Sequence, residues 1–138
     1  MIHHEGTKDT KGTKIRAMVV SHAVVGAAIE VHRQLGAGLL ESVYEAALCR
    51  ELSMRGISVE QQVSVPLAYK GFPLELRARL DLVVAGLVVV EIKAVDRLQP
   101  LHRAQLLTYL RLTGHTVGLL INFNVELLRL GVKRVLNG

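Results

Sequence analysis

The chain has no tryptophan and a single cysteine, and aromatic residues make up only 4% of its 138 positions. One cysteine excludes an internal disulfide, so we expect a fold held by its own core in a reducing compartment, the cytoplasm. The scarcity of aromatics makes base stacking a poor basis for contact with nucleic acid. Apolar residues are abundant, at 50%, which is enough to build one well-packed domain.

The chain also lacks an apolar run of the length, about 20 residues, that a membrane span needs. The uncharged run at 17–29 is shorter than that and contains His22. Residues 1–14 are polar with scattered lysines and have no apolar signal core. We therefore expect a disordered tail over 1–14, one domain over 15–138, and no contact with membranes.

The net charge of +5 permits binding to phosphate backbones, although many proteins share such a balance. The surplus of apolar residues on a small domain predicts a homo-oligomer, with a dimer as the first expectation.

Hydrophobic periodicity predicts an α/β domain with the element order α-α-β-β-β-α-β and a short last strand. The helices are expected at 15–35, 40–55 and 100–113, and the strands at 59–69, 74–84, 87–95, 116–121 and 132–136. This order predicts a mixed central sheet flanked by helices. In the first helix, the expected inward stripe is Ile15, Met18, Val19, Val25 and Ile29.

Ionisable residues interrupt two of the predicted strands. Asp81 lies in one strand, and Glu91 and Lys93 lie inside the next, which is otherwise apolar. Charges in such positions are costly unless they are paired or bind something. Two carboxylates beside an ammonium group suit a divalent metal next to a phosphate.

The length of the connecting hairpin loop decides whether these carboxylates meet. A two-residue loop at Ala85-Gly86 sets Asp81 opposite Val90, so that Asp81 and Glu91 lie on opposite faces of the sheet. A three-residue loop over 85–87 sets Asp81 opposite Glu91, and such loops with a glycine at positive φ are common. A metal site therefore requires the longer connection or a bulge.

In that geometry Asp81 and Glu91 would bind Mg²⁺ (or Mn²⁺), with the Ile92 carbonyl as a further ligand. Lys93 would position the attacking water or neutralise charge in the transition state. The structural alternative is an ordinary cross-strand pair between Lys93 and one of the two carboxylates.

Four further residues are weaker candidates. Glu41, in the first turn of the second helix, is either a metal ligand or a carboxylate that favours the helix dipole. Gln105 and Tyr109 share one helical face and would position substrate, or would simply lie at a helix–sheet boundary. His102, near the start of the same helix, would approach a bound phosphate.

His32 lies at the end of the first helix and is a further, weaker site candidate. A lone helical histidine is commonly a cap or a packed residue. The C-terminal position in the helix also favours its protonated form.

Short motifs in a fixed order make residues 17–137 resemble the GxxExxY family within the PD-(D/E)xK nuclease superfamily. They are Ile29-Glu30-Val31-His32 with Leu35-Gly36, Gly38 to Tyr44, Arg79-Leu80-Asp81-Leu82, Glu91 to Val95, Ala104 to Leu110, and Leu120 to Asn124. Two positions depart from the pattern: Leu80 stands where a proline is usual, and Ala37 replaces a proline of the Leu-Gly-Pro-Gly turn.

The resemblance implies a restriction-endonuclease-like core and a Mg²⁺ nuclease site made of Glu41, Asp81, Glu91 and Lys93. It places Gln105 with Tyr109 in a Gln-x-x-x-Tyr motif of the exonuclease-like branch, and it implies nucleic acid, DNA first, as the substrate. The competing expectations are a non-catalytic module that binds nucleic acid or protein, and an oligomeric structural component with the same fold.

Overall fold

A computed structural model describes residues 10–138. We number its elements in chain order. The helices are α1 (Thr10–Leu35), α2 (Glu41–Met54) and α3 (Pro100–Thr113). The strands are β1 (Val59–Tyr69), β2 (Phe72–Val84), β3 (Val88–Lys93), β4 (Val117–Asn122) and β5 (Val132–Leu136), with a short 3₁₀ turn at Leu128–Gly131.

The strands form one mixed sheet in the order β1-β2-β3-β4-β5, parallel between β3 and β4 and antiparallel elsewhere. Helices α1 and α2 pack on one face, and α3, which joins the two parallel strands, packs on the other. The predicted fold class is confirmed, as is the short last strand. Strands β3 and β4 are buried throughout apart from Lys93, because helices cover both of their faces.

Helix α1 begins at Thr10, so the last five positions of the predicted tail are helical; the prediction for residues 1–9 lies outside the described residues. The predicted inward stripe is wrong, since Ile15 is 59% exposed and Val19 66% exposed. The stripe that faces the sheet instead contains mostly small residues at the spacing of one helical face: Ala17, Ser21, Val24, Ala28 and Val31. Small side chains let the helix approach the sheet closely.

By length and composition alone, the helix over Lys11–Leu35 also qualifies as a candidate membrane span. The prediction from uncharged run length did not anticipate this. A helix that forms the core of a folded domain passes the same test, and the buried stripe of α1 belongs to the main apolar cluster.

Tyr44 fixes the turn between α1 and α2. Its hydroxyl donates to the Gly36 carbonyl at 2.6 Å and accepts from the Leu39 N–H at 3.1 Å. The ring is fully buried and stacks on Phe123, with centroids 4.6 Å apart. This tyrosine therefore sets where α2 begins, and with it the position of Glu41.

We expect Tyr44→Phe to lower the free energy of unfolding by about 1–3 kcal/mol, because two backbone groups of the turn lose their partner. Urea denaturation measures the change. Tyr69→Phe is the matched control: Tyr69 is 63% exposed, and its loss of a hydroxyl should cost less than about 0.5 kcal/mol. Equal effects of the two substitutions would contradict this role for Tyr44.

Strands β1 and β2 extend beyond the rest of the sheet. They pair with each other as far as Tyr69 and Phe72, whereas β2 pairs with β3 only over Leu82 to Val84. We call residues 63–80 the ribbon. Every residue in its outer part, 68–77, is exposed, so this part of the ribbon projects from the domain.

Candidate active site at the fork between β2 and β3

The carboxylates of Asp81 and Glu91 lie where β2 and β3 separate. The hairpin register is that of the three-residue connection, with Val84 opposite Val88 and Leu82 opposite Val90. Ala85 and Gly86 both adopt positive φ, and the Leu87 N–H donates to the Val84 carbonyl at 2.9 Å. The predicted loop length is confirmed, and continuing the register sets Asp81 across from Glu91.

Beyond Leu82 and Val90 the two carboxylates replace the ladder of backbone hydrogen bonds. The Asp81 N–H donates to Glu91 Oε2 at 3.1 Å, and the Ile92 N–H donates to Asp81 Oδ2 at 2.8 Å. One oxygen of each carboxylate thus accepts a hydrogen bond from a backbone N–H of the opposite strand. The remaining oxygen makes no hydrogen bond to the described residues.

Both carboxyl groups hold their protons more tightly than usual. Burial, followed by the nearby Asp81 charge, raises the pKa of Glu91 to about 8. Burial also raises the pKa of Asp81, against the effect of its hydrogen bond from Ile92. Two like charges in a site that excludes water favour the arrival of a cation.

Lys93 lies near this pair without contacting it. Its charge acts to lower the pKa of both Asp81 and Glu91. Within residues 10–138, however, it forms no ion pair, as those found join Arg33 to Glu30 and Arg55 to Glu51. The cross-strand pair that was the structural alternative is therefore not formed within residues 10–138.

Glu41 reaches the same end of β3 from the first turn of α2. Its Oε2 accepts from the Ala94 N–H at 3.2 Å, and its charge contributes to the raised pKa of Asp81. Among residues 10–138, no three His, Cys, Asp or Glu side chains stand close enough to hold a metal ion. Asp81 and Glu91 therefore act as a pair, and a ligand role for Glu41 stays a prediction.

Sequence reasoning did not predict the surroundings of Glu45, which lies one turn beyond Glu41 in α2. Glu45 accepts from Gln62 Nε2 at 2.9 Å on both of its oxygens and from Gln61 at 3.3 Å. Its charge also raises the pKa of Asp81 and Glu91. The one available signal was its spacing of four residues from Glu41, which places both on one helical face.

Gln62 marks a break in β1 directly opposite Asp81. Its φ is +51°, a backbone conformation that costs energy for a residue with a side chain. Val59 packs on the α1/α2 side of the sheet, but Val63 and Val65 pack on the α3 side. The break therefore reverses which face of β1 is apolar, and the carboxylate site lies beside this reversal.

The two predicted residues of α3 differ in their placement. The charges of Glu91 and Asp81, together with the larger effect of burial, raise the pKa of Tyr109, so its phenol lies on the side of the carboxylates. Gln105 is exposed and makes no hydrogen bond to the described residues. The structure gives it no partner in the site, and its role in positioning substrate stays a prediction.

His102 has a local structural role. Its Nδ1 accepts from the Gln99 N–H at 3.0 Å, and the Gln99 side chain accepts from the His102 N–H, which forms a capping box. With Pro100 in the first turn and Gly114 at the left-handed C-cap, this explains why α3 begins and ends where predicted. The structure thus gives no support to an approach of His102 to phosphate.

His32 lies apart from the carboxylates. Its Nε2 donates to the Val125 carbonyl at 2.7 Å. It lines a cavity of about 470 Å³ with Ile29, Arg33, Gly36 and residues 126–129, and none of Glu41, Asp81, Glu91 and Lys93 lines that cavity. The structure gives His32 the packed, hydrogen-bonded position that is common for helical histidines.

Asn122, at the end of β4, holds the chain that follows β3. It is 2% exposed; its Oδ1 accepts from the Val95 and Asn124 N–H groups at 3.1 Å, and its Nδ2 donates to the Val95 carbonyl at 2.9 Å. The sequence did indicate this role, because a buried side-chain amide at the end of an apolar strand needs hydrogen-bond partners. Asn122 thereby braces the segment just beyond Lys93.

A family model described as the PD-(D/E)XK nuclease superfamily matches residues 18–135. The chain belongs to the PD-(D/E)XK nuclease superfamily. Neither the curated proteins nor the solved structures contain a match to it. The family match and the mixed five-stranded sheet agree with a restriction-endonuclease-like fold.

PD-(D/E)XK nucleases typically use divalent metals such as Mg²⁺, and the donors present here fit one. Mg²⁺ is commonly held by one or two carboxylates, with waters and substrate phosphates completing its shell. Asp81 and Glu91 supply two carboxylates, each with one oxygen not bonded to the backbone. Ile92 directs its N–H toward β2, and its carbonyl points the same way because both groups of a strand residue lie along one edge.

Proposed function

We propose that this protein is a metal-dependent nuclease that hydrolyses phosphodiester bonds of DNA, within the GxxExxY branch of the superfamily. The observation that carries the proposal is the pair of half-buried Asp81 and buried Glu91, which bond to each other's strands and have raised pKa values, with Lys93 close by but unpaired. Without a ligand, a proton retained on Glu91 relieves the repulsion between the two groups, whereas a bound cation relieves it with both groups ionised.

In this proposal Asp81, Glu91, Glu41 and the Ile92 carbonyl hold Mg²⁺ or Mn²⁺. An ion held by these residues would supply Lewis-acid chemistry, which polarises a phosphoryl oxygen and eases deprotonation of the attacking water. Lys93 places its positive charge where negative charge builds on the phosphoryl oxygens. The water oxygen bonds to phosphorus as the bond to the leaving oxygen breaks. The attacking water releases a proton to solvent, and the leaving oxygen takes one from solvent. Tyr109 and Gln105 flank the substrate from α3.

We further propose that the protein acts in the cytoplasm as a homodimer. Exposed apolar residues support self-association: Ile15, Val19 and Leu136 line an open groove with Met18 and two lysines. Analytical ultracentrifugation at several protein concentrations tests the dimer, and a single monomeric species throughout would contradict it.

We expect wild-type protein to cleave at least one of three substrates (single-stranded DNA, duplex DNA and RNA) with Mg²⁺ or Mn²⁺ and not in EDTA. We expect Asp81→Asn to abolish cleavage and Mg²⁺ binding by calorimetry, because it removes a ligand charge while keeping the side-chain shape. Gel analysis of end-labelled substrates shows which one is cut and whether cutting starts from an end.

The controls separate three explanations. Cleavage that persists in Asp81→Asn would indicate a contaminating nuclease and remove the proposal. Nucleic-acid binding without metal binding or cleavage in the wild type would favour a non-catalytic binding module. Glu126→Gln, which removes an exposed carboxylate beside the cavity at His32, should leave both metal binding and cleavage unchanged.

A further inference from the structure

The ribbon has two chemically different faces. Ala78 and Leu80 pack on the α3 side of the sheet. Because side chains alternate along a strand, Arg77 and Arg79 lie on the other face of the ribbon. Arg79 lies two residues and Arg77 four residues from Asp81 along β2. The two arginines therefore extend outward from the carboxylate site.

The two arginines are available to a ligand. Both are exposed, and within residues 10–138 no carboxylate forms an ion pair with either of them. Arg77 donates from Nε to the Ser64 hydroxyl across the ribbon, which fixes its side chain and leaves its terminal N–H groups open. Arg79 makes no hydrogen bond to the described residues. Guanidinium groups of this kind suit phosphate oxygens.

Arg77 and Arg79 lie in a row along β2 that ends at the carboxylate site of Asp81 and Glu91. At about 3.3 Å per residue, Arg79 and Arg77 lie about 7 Å and 13 Å along β2 from Asp81. In a nucleic-acid strand whose scissile phosphate lies at Asp81 and Glu91, successive nucleotides rise about 3.4 Å each. Distances of about 7 Å and 13 Å therefore correspond to phosphates about two and four nucleotides from the scissile one. The row of arginines can thus follow the backbone away from the cut.

We propose that the ribbon is a nucleic-acid-binding arm on which Arg77 and Arg79 bind phosphates on one side of the scissile phosphate. This inference rests on the proposed function, and it adds to the active site a second element that binds the substrate. The contacts are to phosphates, so the arm supplies affinity and register without reading base sequence.

The test measures binding of fluorescein-labelled single-stranded and duplex DNA by polarisation in EDTA, over a series of salt concentrations. Losing two phosphate contacts should reduce the slope of log K against log salt by about 1.8 for duplex and about 1.4 for single strands. We expect this reduction, with about tenfold weaker binding, for the double variant Arg77→Gln/Arg79→Gln. Metal-dependent cleavage should show a raised KM and an unchanged kcat.

Two further variants isolate the effect. Arg79→Gln alone keeps the contact between Arg77 and Ser64, so it should retain the wild-type thermal unfolding midpoint and show half of the slope change. Lys133→Gln/Arg134→Gln removes the same charge from exposed positions on β5, at the far edge of the sheet, and should leave the slope unchanged.

The possible outcomes are distinct. If the wild type binds and cuts nucleic acid but both pairs of variants change the slope equally, the arm is overturned and the proposed function stands. If the ribbon variants alter the sedimenting mass with an unchanged slope, the ribbon is a contact between copies of the chain, and the proposal is again overturned. A wild type that neither binds nor cuts nucleic acid removes both proposals.

Discussion

Lys93→Met is expected to slow cleavage about 10²- to 10³-fold at saturating metal, the range seen when one preorganised stabilising group is removed. Lys93 lies close enough to influence the pKa of Asp81 and Glu91 but is not paired with either. Its charge is therefore free to act on the phosphate. Methionine keeps much of the length and apolar character of the side chain and removes only the ammonium group.

Single-turnover cleavage with enzyme in excess measures this rate without a contribution from product release. Mg²⁺ calorimetry on the same variant should show binding retained, which separates Lys93 from the metal ligands. Lys133→Met on β5 is the matched control and should cleave at the wild-type rate. A Lys93→Met enzyme with full activity would remove Lys93 from the mechanism while leaving the carboxylates in place.

The stability of the metal-free protein is expected to fall as the pH rises from about 4.5 to about 8. Glu91 has an ordinary pKa of 4.5 when the chain is unfolded and a pKa of about 8 in the folded protein. Between these values the folded state binds the extra proton, so raising the pH favours unfolding. The contribution of Glu91 to stability is fully present below pH 4.5, its pKa in the unfolded chain. Above the folded-state pKa of about 8, roughly 3–5 kcal/mol of stability is lost.

Glu91→Gln should lose most of this dependence and be more stable than the wild type at pH 8, since an amide cannot ionise. Urea denaturation across the pH range measures both proteins. Burial lowers the pKa of His115, so this residue makes the stability rise with pH in both proteins. The difference in stability between the two proteins therefore isolates the contribution of Glu91. Mg²⁺ at pH 8 should stabilise the wild type and not Glu91→Gln. A wild-type stability that rose over this range would contradict the burial of Glu91.

The sequence carried much of the candidate site because strands impose strict rules on side-chain position. Glu91 and Lys93, two apart in one strand, share a face whatever the fold. The choice between two hairpin loops could be stated in advance, since a shift of one residue moves Asp81 to the other face. The metal hypothesis required the three-residue connection, and the structure has it.

Other features depended on contacts between segments far apart in the chain. The apolar residues of α1 occur on most of its sides, so periodicity did not identify the stripe of small residues that faces the sheet. The hydrogen bonds from Gln62 to Glu45 form because Gln62, a residue of β1 with positive φ, lies beside α2. No local sequence pattern indicates this contact. His32 and His102 were candidates as isolated histidines, and only their hydrogen bonds to Val125 and Gln99 showed local roles.

By itself, the sequence determined the element order and the sheet class, and it reduced the placement of Asp81 relative to Glu91 to two hairpin registers, because periodicity and side-chain alternation are local properties. Tertiary structure alone decided that the two carboxylates replace the ladder at a fork, that burial raises their pKa values, and that a basic ribbon extends away from them. Burial and electrostatic coupling depend on what packs around a group, and that is set only when distant segments meet.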